Sequence, residues 1–166
     1  MKFKSVNEFD QFSFRDCQIG SFRVTEDCIT LELEALIVLP SNSQNRNYTE
    51  SYAGTTRLRL TAGKLLSGVK EGFRYFDADG KLLRETPDAP LDAAALQELP
   101  ARCEGAFLFA LTPAAPQHAP SLLTLAIELP PAEPYDTLPT DSYLLTASFE
   151  KAIFEWDHYM NRVQEL

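Results

Sequence analysis

Two histidines, three cysteines and 24 acidic residues are the groups of this 166-residue chain that could do chemistry. His158 closes the spelling Glu155-x-x-His158, which on a helix would bring a carboxylate and an imidazole to one face, half of a carboxylate-bridged di-metal motif. Such a site needs a second copy and two further glutamates, so a solvated terminal face is the stronger reading and no metal is assigned. Asp77-x-Asp79-Gly80 has the look of a calcium loop. Its ligand frame, however, begins on Tyr75 and ends on Thr86, and neither supplies a carboxylate. A tight turn accounts for the same residues. Gly63 and Gly68 have the glycine spacing of a phosphate loop, yet Val69 stands where a lysine must follow directly.

Nucleophilic catalysis finds no better footing. There is no G-x-S-x-G elbow, and Cys17 or Cys103 beside His158 is the thiol–imidazole arrangement that remains open in space; His118 sits among prolines and alanines. Free cysteines are usually buried and inert. On the two arms of one hairpin, Cys17 and Cys28 would lie roughly 25 Å apart along the ladder, far beyond the ~7 Å reach of a disulfide. No catalytic residue, cofactor or metal is therefore expected. The stretch most suited to recognition is the polar run from Ser41 to Gly54. It holds Arg46, Tyr48 and Tyr52 among Asn and Ser, the residue types of adaptable binding loops, and these three are the candidate binding residues. The competing reading is a mobile loop with a tyrosine or two tucked down as anchors.

Charge narrows the partners. Fifteen Lys and Arg against 24 Asp and Glu leave −9, and because residues 1–83 carry 11 of each sign, the whole excess falls in the second half. No basic cluster exists to release phosphate counterions, so nucleic acid and anionic membrane are excluded as expected partners, and another protein is what remains. The longest dense apolar stretch, from Ala35 to Leu39, is far below the ~20 residues of a membrane helix. Lys2 and Lys4 are followed by Glu8 and Asp10 rather than by an apolar export segment, which predicts a cytoplasmic protein.

The elements that must position these residues are strands. Ile29, Leu31, Leu33, Ala35, Ile37 and Leu39 alternate with polar partners up to Pro40, and Phe14 to Val24 supplies the opposite arm of a long hairpin turning near Glu26 and Asp27. Leu36 and Val38 make the far end apolar on both faces, so it should be covered from both sides. A second hairpin turns at Asp77 to Gly80, and further strands are expected over 56–61, 106–111, 122–129 and 143–149. Leu91 to Leu99 reads as a short helix. Trp156, Tyr159, Met160 and Val163 recur at helical spacing, yet 153–156 could equally extend the last strand, so the C-terminus stays open between the two. Ten of 11 prolines fall between Pro87 and Pro139, in loops. At 18.6 kDa the chain can bury about 69% of its extended surface. The expectation is mainly β: one domain over residues 1–166, an antiparallel sandwich or open barrel of about seven to nine strands, with one short helix and either helix or strand at the end. Leu31, Leu33, Ile37, Leu58, Leu60, Phe107, Phe109, Leu125 and Phe149 should form its core.

Phe14-Arg-Asp16-Cys-Gln-Ile19, a turn, and then Leu31-Glu-Leu33-Glu resemble the first hairpin of small, uncharacterised bacterial β-rich proteins, some of them toxin-immunity proteins. The likeness covers about 25 residues. It implies an intracellular, non-enzymatic β protein and carries over no functional residue. The expected function is accordingly that of a protein-interaction or accessory module. The alternative is a small-molecule-binding β domain, or a hydrolase using acidic residues in the mouth of the sheet.

Overall fold

The computed structural model describes residues 1–114, 121–130 and 141–162. His118, Val163 and the proline-rich residues 115–120 and 131–140 lie outside them. In chain order the strands are β1 (Phe3–Val6), β2 (Phe12–Ser13), β3 (Gln18–Val24), β4 (Cys28–Glu34), β5 (Ile37–Val38), β6 (Ser51–Ala53), β7 (Thr56–Thr61), β8 (Lys64–Lys70), β9 (Phe73–Phe76), β10 (Leu82–Thr86), β11 (Ala89–Pro90), β12 (Phe107–Pro113), β13 (Ser121–Glu128), β14 (Ser142–Phe149), β15 (Ala152–Trp156) and β16 (Tyr159–Arg162). Helix α1 (Ala93–Glu98) follows β11 and runs into a 3-10 turn over Leu99–Arg102.

The first hairpin is the one the alternation predicts: Val24 pairs with Ile29 and Gln18 with Glu34 around the turn at 25–27. At Ala35 the chain takes φ +55, a left-handed conformation that ends regular pairing. Beyond it β5 leaves the large sheet and joins a four-stranded one, in the order β16-β6-β5-β2. This change of sheet is why Leu36, Ile37 and Val38 are all fully buried.

The large sheet has ten strands in the order β1-β15-β7-β4-β3-β12-β13-β14-β8-β11. It does not close into a barrel. β7 and β8 are one bent strand, as are β14 and β15. Ala152 pairs with Leu60 on one side of the bend and Ser148 with Lys64 on the other, so a single register passes through the corner. Ala62 (φ +50) and Gly63 make the turn, and Thr61 and Lys151 exchange hydrogen bonds across it. A Cβ on Gly63 would stand 2.7 Å from the Leu60 carbonyl oxygen, so glycine is required there by close approach. Gly68 lies under Leu91 and Leu96, where the short helix packs on β8. Both glycines of the near-miss phosphate loop thus have packing roles within or beside a strand.

The bend lets both halves of the sheet feed one core, in which Leu31, Leu33, Leu58, Leu60, Leu125, Leu145, Phe154 and Trp156 are fully buried. Burying each such side chain stabilises the fold by about 1.5–3 kcal/mol. Phe12 stacks on Phe154 with centroids 4.3 Å apart, and Phe9 meets Phe149 edge-on at 5.7 Å.

Two expectations are corrected, and one left open is decided. There are 16 strands among the described residues rather than about seven to nine, because the bent ribbon yields four where alternation suggests two, and β2, β5, β6, β11 and β16 are too short to show a period. No C-terminal helix forms over the described residues: β15 and β16, separated by a bend at 157–158, put Trp156 and Tyr159 against Phe3 from strands. Phe107 and Phe109 are not core residues. A bulge between Leu108 and Ala110 re-phases β12, so that Leu108 and Leu111 face inward while Phe109 is 47% exposed.

Candidate functional site

The polar run after Pro40 is built around two asparagines. Asn42 and Asn45 are buried. Asn45 Nδ2 donates to the Val38 carbonyl at 3.0 Å and to the Thr49 carbonyl at 2.9 Å, while its Oδ1 accepts from the Asn47 N–H at 2.9 Å. Asn42 Oδ1 accepts from the Gln44 N–H, and its Nδ2 reaches the Gln11 carbonyl. Glu8 holds the outer side, taking hydrogen bonds from the Ser5 hydroxyl and from the Ser43 hydroxyl and N–H. Burial works to raise the Glu8 carboxyl, and these donors outweigh it and hold its pKa below the usual value. The segment is therefore a pinned loop leading into strand β6, not a free one. Asn45→Ala would remove the side-chain donor to the buried Val38 carbonyl and one of the two donors on the Thr49 carbonyl, which the Ser51 hydroxyl also reaches, an expected loss of about 1–3 kcal/mol in thermal or urea unfolding, whereas Tyr48→Ala should stay within about 0.5 kcal/mol of wild type.

The structure distributes the three candidate binding residues. Tyr48 stands in solvent, 93% exposed and at φ +58. Tyr52 lies half-buried in β6 and donates its hydroxyl to Asp16 Oδ2 at 2.7 Å, a bond to the carboxylate that raises the phenol pKa. Arg46 lines a pocket of about 400 Å³ with Lys2, Phe3, Gln44, Asn47 and Tyr159. No hydrogen bond or ring contact joins the three among the described residues. Residue type marked this loop as suited to recognition, but it gave no sign that the asparagines carry its architecture.

The groups considered for catalysis are placed elsewhere. Burial pushes the Cys17 thiol up to about 12, with Glu34 adding to the effect, and raises Cys103 to about 11. Both are neutral thiols at physiological pH and so poor nucleophiles. Cys103 gives its hydrogen to the Leu99 carbonyl, and all three cysteines are free. Glu155 is engaged by Arg59 at 2.6 Å from the neighbouring strand, and His158, after the bend, lies against Gly54. The helical geometry that would align Glu155 with His158 is absent. At the second hairpin Asp77 Oδ1 accepts from the Asp79 and Lys81 N–H groups, and Gly80 takes φ +80. That is turn chemistry.

A hollow of about 1050 Å³ lies between α1, the start of β8 and the tip of the first hairpin. Its apolar wall is Phe22, Leu65, Leu91 and Leu96, with Arg23, Lys64, Glu26 and Asp92 around it. Asp92 Oδ1 caps α1 through the Ala95 N–H at 2.7 Å, so one of its two carboxylates is already used in holding the helix. Compared with known proteins, the chain matches no family model, no curated protein and no solved structure. Among the described residues no helix is long and apolar enough to cross a membrane.

Proposed function

We propose that this chain is a non-enzymatic protein-interaction module, an antiparallel sandwich-like domain whose binding surface is the outer face of the β12, β13, β14, β8 and β11 half of the sheet. One observation supports this reading above the others. A row of apolar side chains crosses those five strands in register: Ala110 opposite Ala126, Ala126 opposite Leu144, Leu144 opposite Val69, and Val69 opposite Pro90. Phe109, displaced outward by the bulge, stacks on Phe107 at 5.9 Å and extends the row, and Leu144 is 38% exposed. Solvated sheet faces are normally polar, and a contiguous apolar patch with aromatic residues is the composition of an interface centre.

The hairpin of β9 and β10 begins just beyond the Val69 end of this row. It forms a two-stranded sheet of its own and exposes Phe76, Leu82 and Leu83. Such a hairpin is marginal by itself in water, and a partner covering it would supply the missing burial. A second reading, small-molecule binding, draws on the volume and apolar wall of the groove beside α1.

The test is quantitative cross-linking and co-purification of the full chain with its partner, comparing wild type with Phe109→Ser, Leu144→Asp and a Glu32→Lys control on the other half of the sheet. Loss of the complex in the first two, with melting temperature preserved and the control unaffected, is the expected result. Retention of the complex in Leu144→Asp would remove this face from the interface.

A further inference from the structure

The pocket of about 400 Å³ lined by Lys2, Phe3, Gln44, Arg46, Asn47 and Tyr159 joins two cations that lie 44 positions apart in the sequence, and no carboxylate lines it. We propose that it is a binding site for a small dianion of the phosphate class, independent of the apolar row. Lys2 holds its ammonium 5.4 Å above the centre of the Phe3 ring, which itself lines the pocket. Neither Lys2 nor Arg46 makes an ion pair among the described residues, although the chain carries nine more negative than positive charges and other arginines, at 59 and 74, are paired with glutamates. Two unneutralised cations facing one hollow repel each other, and a doubly charged oxyanion removes that repulsion while offering acceptors to a guanidinium and an ammonium.

The walls are fixed before any ligand arrives. Phe3 is placed by its pairing with Trp156, and Tyr159 meets the Phe3 ring edge-on at 5.0 Å. The Tyr159 hydroxyl donates to the Gln44 carbonyl at 2.9 Å, which ties β16 to the loop. The Asn47 N–H is held by Asn45, so the segment bearing Arg46 is anchored on both sides. Trp156 is the only tryptophan and stacks on Phe3 at 5.6 Å, so its fluorescence reports on this wall.

The experiment titrates the full chain with inorganic phosphate at low ionic strength, following Trp156 fluorescence and calorimetry, with acetate as the monoanion arm. Saturable phosphate binding is expected, weakened about tenfold or more by Arg46→Gln or Lys2→Gln and unchanged by Arg23→Gln, a cation outside this pocket. Both variants alter exposed side chains, and an unchanged melting temperature verifies their fold. A response to phosphate that never saturates overturns the proposal. So does equal weakening by Arg23→Gln, which would mean general charge attraction, and so does acetate binding as tightly as phosphate.

Discussion

Leu33→Ala is expected to cost about 2–5 kcal/mol of unfolding free energy, read from a shifted urea midpoint at constant slope. Leu33 has no exposed surface and occupies β4, with Thr56 of β7 opposite it on one side and Ile19 of β3 on the other. Strands flank it on both sides, so the backbone cannot collapse into the space left by the missing atoms, and the transfer term and the cavity term add. Phe109→Ala removes more atoms but should change stability by only about 0.5 kcal/mol, because the bulge in β12 turns that ring to solvent. The pair measures which face of β12 is inside. Comparable losses in the two variants would show that Phe109 carries core packing after all.

Gly72→Ala should be nearly as damaging, by about 1–3 kcal/mol or more, through overpacking rather than a cavity. A Cβ at this position would lie 1.9 Å from the Thr86 carbonyl oxygen and 2.6 Å from the Pro87 carbonyl carbon. Both are main-chain atoms, so no rotamer change relieves the clash, and the base of the β9–β10 hairpin must open. The Gly72 N–H also donates to Asp88 Oδ1 at 2.6 Å, a bond that the same opening would break. Limited proteolysis should then cut the variant faster between residues 72 and 87 than the wild type. Gly80→Ala offers the contrast: nothing lies within 4 Å of its Cβ, and its cost comes from φ +80 alone, about 1–2 kcal/mol at the turn. Wild-type cleavage rates in Gly72→Ala would mean that the two chain segments are not in contact there.

Periodicity was legible wherever a strand is long and half-buried. In Ile29 to Leu33 and Thr56 to Thr61 the side chains sort by face at every second residue, and turn chemistry at 25–27 and at Asp77 to Gly80 marks where the chain reverses. Alternation is a local property, written in adjacent residues by the geometry of the extended chain, so no distant partner is needed to read it. At β12 the same reasoning failed: Leu108 rather than Phe107 faces inward ahead of the bulge, and the bulged Phe109 breaks the alternation before Leu111 turns inward again. The C-terminal segment was open between helix and strand. Trp156 and Tyr159 are three apart, as on a helix, but a bend at 157–158 also brings them to one side, and the docking of Phe3 against both favours the strands.

What the sequence determined by itself was therefore the β class, the two hairpins and the short helix. Tertiary structure alone decided that β7 and β8 would be one bent strand, that Asn42 and Asn45 would be buried supports, that apolar residues from five strands would line up on an outer face, and that Lys2 would share a pocket with Arg46. Each of these depends on pairings between segments far apart in the chain. Such pairings are selected by how whole faces pack and by the closure of long loops, and neither of those quantities is contained in any short window of residues.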